Sequence, residues 1–434
     1  MLVEPRWCLR ASAKNFDSEF EALVHADRGN GTDVSAVVSS IIKSVRATGD
    51  KALAELTHKY DGVDLTQTAA RVNRDERDKL AQKAPTEQIE ALKLAADRIR
   101  DFHQRQKPTN LSYTDDLGVK LGYRWTPVDR AGLYVPGGRA AYPSSLLMAA
   151  IPARVAGVES LTMTVPTPNG EISPLVMAAA QIVDIEEIYK VGGAQAIAAM
   201  AYGTESISPV DVIVGPGNAF VAEAKRQLFG KVGIDMVAGP SEILVISDEH
   251  QNPNWIASDL LSQCEHDPSA QAILISPDSS LLDAVKKAIS DQLVTLATQE
   301  TAKQSWQSHG ALIEARDLNH AAELSNRLAP EHLELAVQEP EILFEKIRHA
   351  GSVFLGAYTP EPLGDYLAGP NHILPTERTA RFASGLGVHT FMKRTTFLGA
   401  NSVSFSALSD GTRTLAQAEG LPAHAASIAY RSNR

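Results

Sequence analysis

Cysteine is nearly absent. Cys8 and Cys264 are the only two in 434 residues, so a disulfide framework is excluded and a reducing compartment is expected. Basic charge is also in short supply: 41 Lys and Arg face 52 Asp and Glu, a formal net charge of −11. With no basic run standing out, neither nucleic acid nor an anionic membrane is expected as a partner. No stretch reaches the roughly 18 apolar residues of a membrane span; the most hydrophobic one, LLMAAIPARVAGV from Leu146, is broken by Pro152 and Arg154. Export is not expected either, because MLVEPRWCLR puts Glu4, Arg6 and Arg10 where a signal peptide needs an uninterrupted apolar core. A cytoplasmic protein is therefore expected. Proline at 23 residues and charged residues at 21% leave little room for disorder, collagen or coiled coil.

What is present is an ordinary apolar content of 44% in a chain about three times the usual ~150-residue domain increment. Val34, Val37, Val38, Ile41, Ile42 and Val45 recur at helical spacing, as do Ile89, Leu92, Ala96, Ile99 and Phe102. From Ala131 the texture changes. Short β-rich runs (GLYV, LTMTV, EIYKV, DVIVG, EILVIS) alternate with helical segments such as AFVAEAKRQLF, and a second series follows with QAILIS, ALIEA, HLELAV and SVFLG. This alternation predicts βαβ units, parallel sheets and two α/β layers. After about Ala383 the pattern fades into FMKRTTF and a helix-like end, expected to be a small appendage that docks on its own core or on a partner subunit.

Open parallel sheets bind ligands at the loops after their strands, and three such loops are glycine-rich: VPGGRAAYP, VGGAQAIAA and VGPGNAF. Glycine permits close approach to the backbone and a following helix N-terminus favours phosphate, yet the dinucleotide fingerprint is incomplete, with Phe220 where its third glycine would stand. Tight turns demanded by the fold explain these loops equally well. In SQCEHDP, Gln263 and His266 are three apart and share a helix face from which Cys264 points away; this is half of a metal site, or a His placed by the helix dipole. In APEHLEL, Glu331 and His332 stand at the entrance to a strand, where both can border one cavity as an acid/base pair or remain a solvated Glu and a partly buried His. Asp365 and His424 lie in Gly/Pro-rich stretches of the kind that often carry function, though either alone reads as a turn or cap residue.

Together, AGLYVPGGRAAYPSSLLM, KVGGAQAIAAMAYG, VGPGNAFVAEAKRQLFG, AGPSEILVI, LLSQCEHDPSAQAIL, APEHLEL, GPNHILPT and EGLPAHAAS resemble the histidinol dehydrogenase family, in order and over nearly the whole chain. The resemblance implies two incomplete Rossmann-like domains with small N- and C-terminal pieces: a helical segment 1–29, a first domain 30–133 with 244–384, an NAD-binding domain 134–243, and a tail 385–434. It implies zinc held by Gln263, His266, Asp365 and His424, NAD lined by Tyr134, Gln195 and Asn218, and Glu331 and His332 as the proton-transfer pair. Ser241, Glu419, His372, His332 and the metal ligands would contact L-histidinol, in an intertwined homodimer whose tail reaches the partner's site. Cys264 departs from the small unreactive residue expected there, and the first thirty residues match loosely.

The reaction implied is the four-electron oxidation of L-histidinol to L-histidine through L-histidinaldehyde with two NAD⁺. Some relatives act on other amino alcohols or diols; Glu419, His372 and His424 point to histidinol. Two other readings compete: a non-catalytic nucleotide-binding protein, which would leave Glu331 and His332 without a task, and an aldehyde dehydrogenase with Cys264 as nucleophile.

Overall fold

The computed structural model describes residues 2–28, 33–65, 70–137 and 142–432. Two six-stranded sheets organise them, both built on the order 3-2-1-4-5 in chain sequence with one earlier strand added beside the third. In the first sheet the order is Arg71–Val72, Glu187–Tyr189, Ser160–Thr164, Arg130–Tyr134, Val212–Val214 and Gly233–Ile234, parallel except at the added strand. In the second it is Trp7–Arg10, Ala311–Glu314, Gln271–Ser276, Glu242–Ser247, His332–Ala336 and Ser352–Leu355, parallel throughout. Strands EILVIS, QAILIS and HLELA are buried along their whole length, as parallel strands covered by helices on both faces must be. The α/β class and the individual strands expected from sequence are all present.

The helices divide between the layers differently from the expected boundaries. Helix Ser35–Thr48 buries Val38, Ile41, Ile42 and Val45 against helices Gly193–Tyr202 and Ala219–Leu228. Helix Thr86–Gln104 buries Leu92, Ala95, Ala96 and Ile99 against Pro143–Ala156. The helices Ser35–Thr48 and Thr86–Gln104 therefore belong with the first sheet and not with 244–384. The alanines of GAQAIAAMAY and LLMAAIPA let these helices approach closely, so their apolar stripes find their cover there. Residues 1–29 are likewise not simply helical: Trp7–Arg10 is a strand that extends the second sheet beside Ala311–Glu314, and helix Phe16–Val24 packs Phe16, Phe20 and Leu23 into the same core. Arg130–Tyr134 lies wholly in the first sheet, across the boundary expected at 133/134.

The tail starts from a third sheet, antiparallel, in which Met392–Gly399 pairs along Lys120–Pro127, which also pairs with Leu111–Thr114. Asn401 then caps helix Ser402–Ala418, its side chain accepting from Val403 N and Ser404 N at 2.9 and 3.0 Å. This helix and Pro422–Ser432 pack chiefly on each other, leaving Val403, Leu415 and Tyr430 exposed. Among the described residues no helix is long and apolar enough to cross a membrane.

Candidate active site

The acid/base candidates sit at the amino-terminal edge of the second sheet. Helix Leu318–Leu328 ends in Ala329, which adopts left-handed backbone (φ 48°, ψ 61°), and Pro330 then forces the chain out of helix into strand His332–Ala336. His332 is buried, and its Nδ1 lies 2.9 Å from the carbonyl oxygen of Glu242. A carbonyl only accepts, so Nδ1 carries the proton and the Nε2 lone pair is free. That Nε2 has no hydrogen-bond partner and faces Glu361 Oε1 and Asp365 Oδ1, each at 3.9 Å. Burial, partly opposed by Asp365, lowers the imidazole's proton affinity and keeps it neutral. Glu331 is also buried; desolvation and then the charge of Glu242 hold its carboxyl well above the usual range.

Helix Pro253–Cys264 brings the next group. Gln263 is wholly buried near its end, with Nε2 3.4 Å from His266 Nδ1 and with Oε1 lacking any hydrogen-bond partner. His266 is exposed and Asp365, on helix Glu361–Tyr366, is half-buried, so the group opens from the interior to the surface. His372 joins it: Nδ1 donates to the Asp365 carbonyl at 2.9 Å, and Nε2 lies 3.1 Å from Ser145 Oγ on a helix of the first sheet. An orphaned buried amide oxygen beside an imidazole suits a borderline cation with N/O ligands. His332, Glu361 and Asp365 add donor atoms within 4.8 Å of one another. Ser241, half-buried, precedes strand Glu242–Ser247 at the same edge.

Three candidates gather instead at the carboxyl edge of the first sheet. Tyr134 ends the central strand, and its hydroxyl accepts from Gly193 N at 3.2 Å; burial pushes the phenol up to about 12, so it stays neutral. Gln195 is buried in the helix that Gly193 opens. Asn218 caps helix Ala219–Leu228, its Oδ1 accepting from Phe220 N and Val221 N at 3.1 and 3.2 Å. The loop before it is gripped from beneath. Gly215 takes φ 118°, where a side chain would collide with the Tyr134 carbonyl. Its N–H donates to Asp235 at 2.8 Å and its carbonyl accepts from Lys225 Nζ at 3.0 Å, while Lys225 and Asp235 form a buried ion pair. Residues 138–141 of the VPGGRAAYP loop lie outside the described residues.

Glu419 and His424 are not brought to this group by a single chain. Glu419 closes helix Ser402–Ala418 and His424 lies on the next, both exposed. Cys264 is excluded as a nucleophile: it is buried in the core beside Leu260 and Val285, and burial pushes its thiol up to about 12.

Sequence reasoning missed a row of buried and half-buried acids behind His332. Glu361 is pushed up to about 9 by burial and then by Asp365, Asp259 to about 6 by burial, and Glu334 well above its usual range by burial and Asp259. Alternation places Glu334 on the face of His332, and an acid in a strand with no exposed residue was the available signal.

The histidinol dehydrogenase family model matches residues 25–432. The histidinol dehydrogenase of Rhodospirillum rubrum is 56% identical over 427 residues, 98% of each chain. That of Zymomonas mobilis is 54% identical over 420 residues, 97% of this chain and 98% of the other. The crystal structure of histidinol dehydrogenase from Elizabethkingia anophelis superposes with a TM-score of 0.93 at 36% identity, covering 98% of each chain.

Proposed function

Because the chain belongs to the histidinol dehydrogenase family, we propose that it oxidises L-histidinol to L-histidine through L-histidinaldehyde, in histidine biosynthesis, with NAD and zinc as cofactors. The observation that carries the chemistry is a buried, neutral imidazole whose free Nε2 faces a half-open pocket beside an adjacent carboxyl with raised proton affinity.

His332 is assigned as the base. Its Nδ1 proton is spent on the Glu242 carbonyl, so Nε2 takes the hydroxyl proton of the alcohol in the first oxidation and of the hydrated aldehyde in the second. Glu331 is assigned to hydration: a carboxylate with raised proton affinity is basic enough to deprotonate the water that attacks the aldehyde carbon. Tyr134, Gln195 and Asn218 would line the NAD site, where the nicotinamide would supply the hydride acceptor for each half. Gln263, His266, Asp365 and the tail's His424 would hold the zinc, which would supply an electrophilic centre for the substrate's nitrogen donors. Ser241, His372 and Glu419 complete the contacts to histidinol, and holding the aldehyde between the two oxidations keeps it from escape.

Glu419 and His424 reach the site from the partner subunit of a homodimer with shared active sites. The exposed Val403, Leu415 and Tyr430 of the tail are the surface that such a dimer would cover. The scarcity of cysteine and the biosynthetic role support a cytoplasmic location. The test is NADH formed per histidinol consumed: two are expected. One would stop the reaction at the aldehyde, and none would remove the assignment.

A further inference from the structure

Glu242 opens the central strand of the second sheet, in a register that pairs Ile243 with His332. Its three polar handles all reach the catalytic pair next door. Its N–H donates to Glu331 Oε2 at 2.8 Å, its carboxylate Oε2 accepts from Glu331 N at 3.2 Å, and its carbonyl accepts from His332 Nδ1 at 2.9 Å. The other carboxylate oxygen, Oε1, accepts from the guanidinium of Arg28 and from Glu377 N, the latter at 2.8 Å. Glu242 and Arg28 are themselves 6% and 7% exposed. Two buried carboxyls facing each other are a poor way to stabilise a sheet, since well-packed apolar residues would serve at least as well. They are a good way to fix direction: reciprocal bonds at both ends leave Glu331 and His332 little freedom to rotate.

We propose that Glu242, anchored by Arg28, is a positioning residue that aligns both Glu331 and His332 for proton transfer. The inference rests on the assignment of those two residues as the proton-transfer pair. Through its carbonyl Glu242 selects the His332 tautomer whose Nε2 is free, and through its carboxylate it sets how readily Glu331 ionises. The charged groups facing Glu331 are Glu242 from the neighbouring strand, His332 from its own, and Glu361 and Asp365 from helix Glu361–Tyr366; Arg28 lies behind Glu242. His266 and His372 stand further along the same pocket. Two perturbations of this set act in the same direction. Glu242→Gln removes a negative neighbour, so Glu331 ionises at lower pH; Arg28→Met removes the cation that opposes burial at Glu242, whose own carboxyl is already raised, so Glu242 neutralises and Glu331 again ionises at lower pH.

The test uses full-length, zinc-loaded enzyme and follows oxidation of histidinaldehyde by NAD⁺ against pH, beside oxidation of histidinol. In Glu242→Gln the acidic limb of the aldehyde profile should move down by about one pH unit, and in Arg28→Met it should move in the same direction. The aldehyde rate at the optimum should fall about tenfold or more in both, as for an imperfectly aligned base. Arg28→Lys, which keeps the charge, should restore the wild-type limb. A role confined to sheet stability would lower both half-reactions together and leave the limb in place, which overturns the inference. Glu331→Gln is run alongside. If the limb persists there, the assignment of Glu331 fails and this inference with it. If the limb vanishes there but stays fixed in Glu242→Gln and Arg28→Met, Glu331 stands and Glu242 is merely structural. Should Arg28→Met not fold, the shift in Glu242→Gln decides alone.

Discussion

Lys225→Met should be among the most damaging substitutions outside the catalytic pair. Lys225 is 1% exposed, pairs with a fully buried Asp235 carboxylate, and donates to the Gly215 carbonyl. Met fills the volume but supplies neither charge nor proton. Breaking one member of a buried pair typically costs ~3–5 kcal/mol, because the surviving charge is left uncompensated. Asp235 keeps two N–H donors, Gly215 at 2.8 Å and Met236 at 2.7 Å, which soften that loss, so about 3 kcal/mol is expected. Asp235→Asn alone should also destabilise, and the double variant should cost about 1–2 kcal/mol less than the two singles added, since residues in one network are not additive. Urea titration followed by circular dichroism measures this. NADH titration by fluorescence gives a second reading: a Gly215 carbonyl without its donor loosens the loop that carries Asn218, and a tenfold weaker Kd corresponds to about 1.4 kcal/mol. A Lys225→Met protein within about 0.5 kcal/mol of the parent, the range of ordinary surface changes, would refute the reasoning.

Chelation should abolish turnover while leaving the circular dichroism spectrum nearly unchanged, because the apolar cores of both sheets are built without any of the four ligands; added Zn²⁺ should restore activity, and full turnover of metal-free protein would remove the ligand assignment. His103 is buried, donates from Nδ1 to Ile99 O at 2.7 Å and leaves Nε2 unpaired, with its proton affinity lowered by burial. Its contribution is therefore complete above the unfolded value of 6.5 and lost as pH falls through and below it, at up to about 1.4 kcal/mol per pH unit; a wild-type minus His103→Leu difference in stability that is flat from pH 7 to 5 contradicts this. Mixing inactive His332→Asn and His424→Asn proteins under subunit exchange should regenerate up to half-normal activity per heterodimer, and exchange without recovery would place the tail in its own subunit's site.

The sequence was legible wherever the signal is local. Runs such as EILVIS and QAILIS are strands because β-branched and aliphatic residues bounded by turns leave few alternatives. APEHLEL announces a strand entrance because Pro330 ends the preceding helix. What could not be read is long-range. FMKRTTF looked like fading alternation because its partner, Lys120–Pro127, lies some 270 residues earlier and exposes most of it on both faces. The helices of 34–104 carry clear apolar stripes, but a stripe does not say which sheet covers it. Arg28 and Glu242 are the sharpest case: 214 positions apart, they read separately as an ordinary surface cation and the first residue of a strand.

The row of acids behind His332 makes the metal-free protein a store of protons. Glu361 is held up at about 9, so at neutral pH it keeps a proton that a solvated glutamate gives up, and burial shifts Glu331 and Glu334 in the same direction. Unfolding near pH 7 must release the Glu361 proton. The contribution of these acids to stability is whole below pH 4.5 and drains away as pH rises through the folded values, opposite in sign to that of His103. Calorimetry in buffers of different ionisation enthalpy would count the protons, with the Glu361 proton as the minimum. The formal charge of −11 is thus a property of the unfolded chain, and the folded molecule should migrate in an electric field as a less acidic one.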